Sequence, residues 1–146
     1  MSSFTYIICP FFSAVLCQVI KFTIESVRKN KLEWGRLFNG NGGMPSTHTT
    51  FVTSLTSLIG FLLGFDSPIF AIAIVLSVVV SYDSIGVRME SGKQAVVIND
   101  IAEGFFHGEA KKSYKELKEQ LGHKPMEVLV GIILGIIMGY LFAFYY

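Results

Sequence analysis

The chain predicts an all-α fold, a small integral membrane helical bundle of about four membrane helices plus a cytoplasmic amphipathic helix. Its 146 residues are 51% hydrophobic and only 16% charged, with a mean hydropathy of +0.53, too apolar for a soluble domain built on one core. The apolar residues gather into helix-length runs. All twelve Lys and Arg residues fall in or at the edge of two polar stretches, which an even number of crossings would bring to one membrane face. The length fits a single membrane domain over 1–146.

The first apolar run, Phe4 to Ile24, is long enough to cross a hydrocarbon core of about 30 Å as a helix. It lacks the basic n-region and small-residue cleavage site of a signal peptide, so it is expected to persist as an anchor. Cys9 and Cys17, both within it, are placed where no disulfide along one helix and no metal-ligand spacing is available, and they read as packing residues. A polar stretch, Glu25 to Pro45, follows. Its Asn39-Gly40-Asn41-Gly42-Gly43 segment is expected to be a flexible loop, not a nucleotide fingerprint, because no strand precedes it and no Lys follows at P-loop spacing.

The second run, Ser46 to Phe65, is rich in Ser and Thr, and the third, Pro68 to Tyr82, is short. Asp66-Ser67-Pro68 makes the turn between them. The two form a hairpin, either spanning or re-entrant. If it spans, the chain crosses four times and both termini share one side. In the second polar stretch, Asp83 to Gly122, the segment Lys111 to Leu121 carries Tyr114, Leu117 and Leu121 at helical spacing, with Gly122 as a C-cap. This is the expected amphipathic helix on the membrane surface. Pro125 to Tyr146 is the last span.

The first polar stretch and its edge hold Lys21, Arg28, Lys29, Lys31 and Arg36, and the other seven cations, Arg88 to Lys124, lie in or just beyond the second. Short loops rich in Lys and Arg stay cytoplasmic, so the polar stretches are expected inside and both termini outside. A net charge of +1, with cations interleaved among Asp and Glu, excludes a nucleic-acid surface.

Candidate site residues sit at this polar face. His123 and Glu127 are four apart at a helix start, where a carboxylate can fix an imidazole tautomer and leave the other ring nitrogen as a nucleophile. Gly131, Gly135 and Gly139 continue the same four-residue ridge, which lets another helix approach closely and turns His123 and Glu127 into the bundle. The competing reading of that ridge is a homodimer seam. Gly60 and Gly64 offer a second small-residue face that could meet the first. Pro45-Ser46-Thr47-His48 opens a helix with a hydroxyl at the N-cap, where free N–H groups and the dipole favour an anion; plain capping beside a solvated His is the alternative. Lys21 and Arg28 end the first run, and Asp83, Arg88 and Lys93 close the third at the same level. Lysines there commonly snorkel to the interface and serve topology alone.

These motifs resemble those of the type 2 phosphatidic acid phosphatases related to vanadium-dependent haloperoxidases, whose signature is K-x6-R-P, P-S-G-H and S-R-x5-H-x3-D. The likeness is to the small divergent branch, through Gly42 to His48, Tyr82 to Arg88 and Leu121 to Glu127. The resemblance implies that His123 attacks phosphorus, Glu127 orients it, His48 protonates the leaving alkoxide, Lys21 and Arg28 bind phosphate, and the backbone at Ser46 to His48, through Thr47, cradles the nonbridging oxygens. It requires no metal and no cofactor. The chain departs from the signature at Lys29 in place of Pro, Thr47 in place of Gly, and Leu117 in place of the third-motif Arg. Arg88, with Lys93, is the expected substitute.

The implied function is a phosphatase acting on a membrane lipid phosphate, a phosphomonoester or pyrophosphate, through a phosphohistidine. The alternative is a non-catalytic lipid-phosphate-binding or carrier protein on a degenerate phosphatase scaffold. The expected partners are the lipid phosphate and the bilayer, and the small size leaves room for a homodimer. The expected location is a bacterial inner membrane, with the active site on the cytoplasmic face.

Overall fold

The computed structural model describes residues 3–32, 43–105, 114, 116–119 and 121–145, and among these there are four apolar helices and one amphipathic helix. In chain order they are α1 (Thr5–Lys29), α2 (Thr47–Leu63), α3 (Pro68–Ile85), α4 (Val87–Phe105) and α5 (Pro125–Tyr145). There is no strand among the described residues. The runs Thr5–Lys29, Pro68–Phe105 and Pro125–Tyr145 are long and apolar enough to cross a membrane, and α2 is a shorter apolar helix. Arg36, Lys111, Lys112, Lys115 and most of the Asn39–Gly43 segment lie outside the described residues.

The apolar helix richest in Ser and Thr is at the centre. α2 packs against α1, α3 and α5, while α3 and α5 barely touch each other. Its buried positions include Thr49, Thr50, Thr53, Ser54, Thr56 and Ser57. Small side chains let backbones approach, and in an apolar medium each hydroxyl needs a partner. Thr50 donates to the carbonyls of Ser46 (2.9 Å) and Gly131 (3.2 Å). Thr56 donates to the Val52 carbonyl (2.9 Å) and lies 2.7 Å from the Ser77 hydroxyl of α3.

The glycine ridge of α5 lies on this surface. A β-carbon at Gly131 would come within 2.8 Å of the Ser46 carbonyl oxygen, one at Gly135 within 2.7 Å of Thr53 Cβ, and one at Gly139 within 2.6 Å of Ser57 Cβ. The ridge is therefore an internal seam of this chain. The second glycine face does not meet it. Gly60 instead makes room for Phe65 and Phe70, and Gly64 is the C-cap of α2 at φ +91°, where an L side chain would be strained. α2 approaches α5 through hydroxyl side chains, which are small enough for the purpose.

α1 buries a stripe of small residues at four-residue spacing, Thr5, Cys9, Ser13 and Cys17, and the next member is Lys21. Its opposite side exposes Phe11, Phe12, Val15 and Val19, the surface that lipid covers. The turn between α2 and α3 follows expectation: Ser67 caps α3 by accepting from the Phe70 N–H at 3.3 Å, with Pro68 in the first turn.

The expected amphipathic helix, Lys111 to Leu121, lies partly outside the described residues, and its described part is not helical. Gly86 ends α3, and the chain re-enters a helix at once as α4, whereas Tyr114, Glu116 to Glu119 and Leu121 are not helical. That segment lies along α4 instead. Asn99 Oδ1 accepts from the Leu117 N–H (2.9 Å), and Asn99 Nδ2 donates to the Leu117 carbonyl (3.0 Å). Gly92 supplies the close approach, since a β-carbon there would lie 2.5 Å from the Glu119 carbonyl oxygen. A side-chain amide thus takes the backbone groups that a helical turn would have paired internally.

Candidate active site

Three hydrogen bonds tie the helix ends together at the polar face. Cys17 Sγ of α1 donates to the Pro45 carbonyl at 3.4 Å and lies 3.5 Å from the Thr47 hydroxyl. The Ser46 N–H at the head of α2 donates to the Glu127 carbonyl of α5 at 2.9 Å. The His123 N–H donates to the Ser84 carbonyl at the end of α3 at 3.0 Å. Four segments that are distant in sequence thus converge where the cations and histidines lie.

Lys21 is buried at 6% exposure, aimed inward by the Cys9–Ser13–Cys17 stripe on which it sits. It does not snorkel. A cavity of about 300 Å³ is lined by Lys21, Arg28, Lys124, Glu25 and Glu127, with Met44 at its edge. Three cations against two carboxylates make it a place for an anion. Glu25 also pairs with Lys29 at 3.0 Å, which draws some of its charge away from the cavity.

His48, in the first turn of α2, is exposed, and its charged surroundings are Arg88, Lys21 and Asp83. Arg88 Nε donates to Asp83 Oδ2 at 2.8 Å. Lys21 therefore links two lobes: the cavity between α1 and α5, and the surface carrying His48, Asp83 and Arg88. Ser46 is the N-cap of α2, fully buried, accepting from the Thr49 hydroxyl at 3.0 Å and the Thr49 N–H at 3.5 Å. Its own N–H is taken by Glu127, so the donors left to the first turn of α2 begin at Thr47 and His48.

His123 is buried at 5% exposure just before α5. Glu127 Oε2 accepts from the Lys124 N–H at 3.2 Å and so closes the first turn of α5. Lys93 stands apart, paired with Glu90 at 2.6 Å on the exposed side of α4. Sequence reasoning left Lys124 without a role, although it adjoins His123. It also treated Cys17 as packing alone, although that thiol holds the loop to Lys21's helix.

A helical bundle with one buried lysine, several further cations and two histidines at one end defines an integral membrane protein with a cationic end. The chain belongs to the divergent PAP2 family, whose model matches residues 3–138. It is 37% identical over 142 residues to the uncharacterized membrane protein YuiD of Bacillus subtilis (strain 168), covering 90% of this chain and 89% of that protein. No solved structure matches it.

Proposed function

We propose that the protein is a membrane lipid phosphate phosphatase that works through a phosphohistidine at its cationic end. One observation carries the reading: the ends of α1, α2, α3 and α5 bring Lys21, Thr47-His48, Asp83 with Arg88, and His123 with Glu127 to one level of the bundle.

In this scheme a ring nitrogen of His123 forms the N–P bond as the P–O bond to the lipid breaks, and His48 gives its proton to the departing alkoxide. His48 then takes a proton from water as the water oxygen attacks phosphorus. The N–P bond breaks, His123 is restored and inorganic phosphate leaves. Lys21, Arg28 and Lys124 offset the charge on the nonbridging oxygens, and the first-turn amides of α2 donate to them. Arg88 takes the place of the third-motif arginine once it exchanges Asp83 for phosphate. Lys93 joins it only on leaving Glu90, with which it is paired in the structure.

The test is phosphate release by purified protein from a panel of lipid phosphates without added metal, comparing wild type with His123→Ala and His48→Ala. Loss of activity in both variants supports the scheme, with His48→Ala expected about 10²–10⁴-fold down. An inactive wild type that still binds the lipids points to the non-catalytic carrier, a reading favoured by the Asp83–Arg88 pair, which holds the substitute arginine on a carboxylate.

A further inference from the structure

A second, larger cavity of about 590 Å³ runs along the membrane-embedded part of the molecule. It exists because α3 and α5 both lie on α2 and leave a channel between them. Its walls are apolar, with Ile74 and Val78 from α3 facing Ile132 and Ile136 from α5. The hydroxyls of Thr56 and Ser77 that border it are paired with each other at 2.7 Å, which leaves the channel suited to an apolar occupant.

The two ends of the channel differ. At one end Tyr82, Ile85 and Val128 line it, and these residues adjoin Asp83, Ser84 and Glu127 of the polar site. At the other, Phe61, Phe65 and Phe70 line it, with ring centroids 5.5 Å (Phe61–Phe65) and 5.2 Å (Phe65–Phe70) apart, edge to face. Gly60 seats this cluster, because a β-carbon there would lie 2.5 Å from the Phe65 ring and 3.0 Å from Phe70. Between Ile85 and Phe70, α3 rises about 22 Å.

We propose that this channel holds one hydrocarbon chain of the lipid phosphate bound at the polar end, and that the Phe61–Phe65–Phe70 cluster is a floor that limits chain length. The proposal rests on the reading of the polar end as a lipid phosphate site. A tail leaving the bilayer for the channel exchanges one apolar medium for another, so it is held there by van der Waals fit to fixed walls, which a blocked channel loses. The channel also sets a limit, because a chain that reaches the aromatic floor has no further room.

The experiment measures, by native mass spectrometry of purified protein in detergent, which lipids are retained from a mixture with one phosphate headgroup and tails of graded length, acyl and prenyl. Hydrolysis of the same series is followed separately. Wild type is expected to show a sharp upper limit, Phe70→Ala to move it to longer tails, and Ile132→Trp, which fills the channel, to reduce retention of tailed lipids at least tenfold while a short-chain alkyl phosphate binds as before. The acyl and prenyl arms identify the tail. Equal retention at every length in wild type and both variants overturns the proposal, as does a wild type that retains no lipid phosphate. A length limit without hydrolysis rejects the chemistry and keeps the channel, whereas hydrolysis indifferent to length and to both variants keeps the chemistry and rejects the channel. Unchanged thermal midpoints in the variants show that the altered retention is not unfolding.

Discussion

Lys21 shows how one residue's setting separates a functional role from a topological one. A lysine ending a span ordinarily extends to the interface, where its stem covers apolar surface and its charge stays in water. Here the small residues Cys9, Ser13 and Cys17 lie on the same ridge and carry Lys21 into the bundle, where burying an ammonium is costly. A residue held at that cost for an anion should show opposite effects when neutralised. Lys21→Met keeps the stem, so we expect phosphate release to fall about 10²–10³-fold, the range for removing one preorganised donor. The thermal midpoint should hold or rise. Parallel loss of activity and stability would make Lys21 a structural residue. At the same scale, charge reversal in Arg88→Glu should weaken binding of phosphate or vanadate, and binding left intact would remove Arg88 from the site.

At the level of elements, the helices of the fold were legible wherever apolar length and small-residue spacing agree. α1 and α5 lie where hydropathy puts them, and the α5 glycine ridge does what its four-residue repeat implies. The ridge predicts unequal sensitivity among glycines. Gly135→Val must displace Thr53 and the α2 backbone, since even a β-carbon would lie 2.7 Å from Thr53 Cβ and 2.9 Å from Ser54 N. Overpacking of this kind costs about 1–3 kcal/mol, read as a lowered denaturation midpoint in detergent. Gly104→Ala on α4, with nothing within 4 Å, should leave the midpoint unchanged or raise it. Equal effects would mean that α5 does not lie against α2. The described part of the expected amphipathic segment is non-helical for a physical reason. The Tyr114, Leu117 and Leu121 spacing is helical, but Asn99 offers the Leu117 backbone an alternative partner, and such a tertiary competitor leaves no mark in local periodicity. The pairing of Cys17 with Pro45 and Thr47, and of Ser46 with Glu127, was hidden in the same way. Both join residues that only the fold brings together.

For the whole molecule, the distribution of charge makes a claim about orientation. Lys21, Arg28, Lys29, Lys31, Arg88, Lys93 and Lys124 belong to the segments at the polar end, while the α2–α3 turn at the other end carries Asp66 and no cation. By the positive-inside rule the polar end is expected to face the cytoplasm, which labelling tests. Cys9 and Cys17 are both fully buried, so a single introduced thiol would report with little background. Ser91 and Asp66 are exposed positions at opposite ends. With an impermeant thiol reagent, Ser91→Cys should label only after the membrane is opened, and Asp66→Cys in intact cells. α2 and α3 each rise about 25–27 Å, a little under the hydrocarbon thickness of about 30 Å, so the turn should lie near the outer boundary. Labelling of Ser91→Cys in intact cells would invert the molecule and place the cationic end outside. Protection at both positions would keep the polar end cytoplasmic and make the α2–α3 hairpin re-entrant. The channel between α3 and α5 would then open within the bilayer, its aromatic floor short of the far surface.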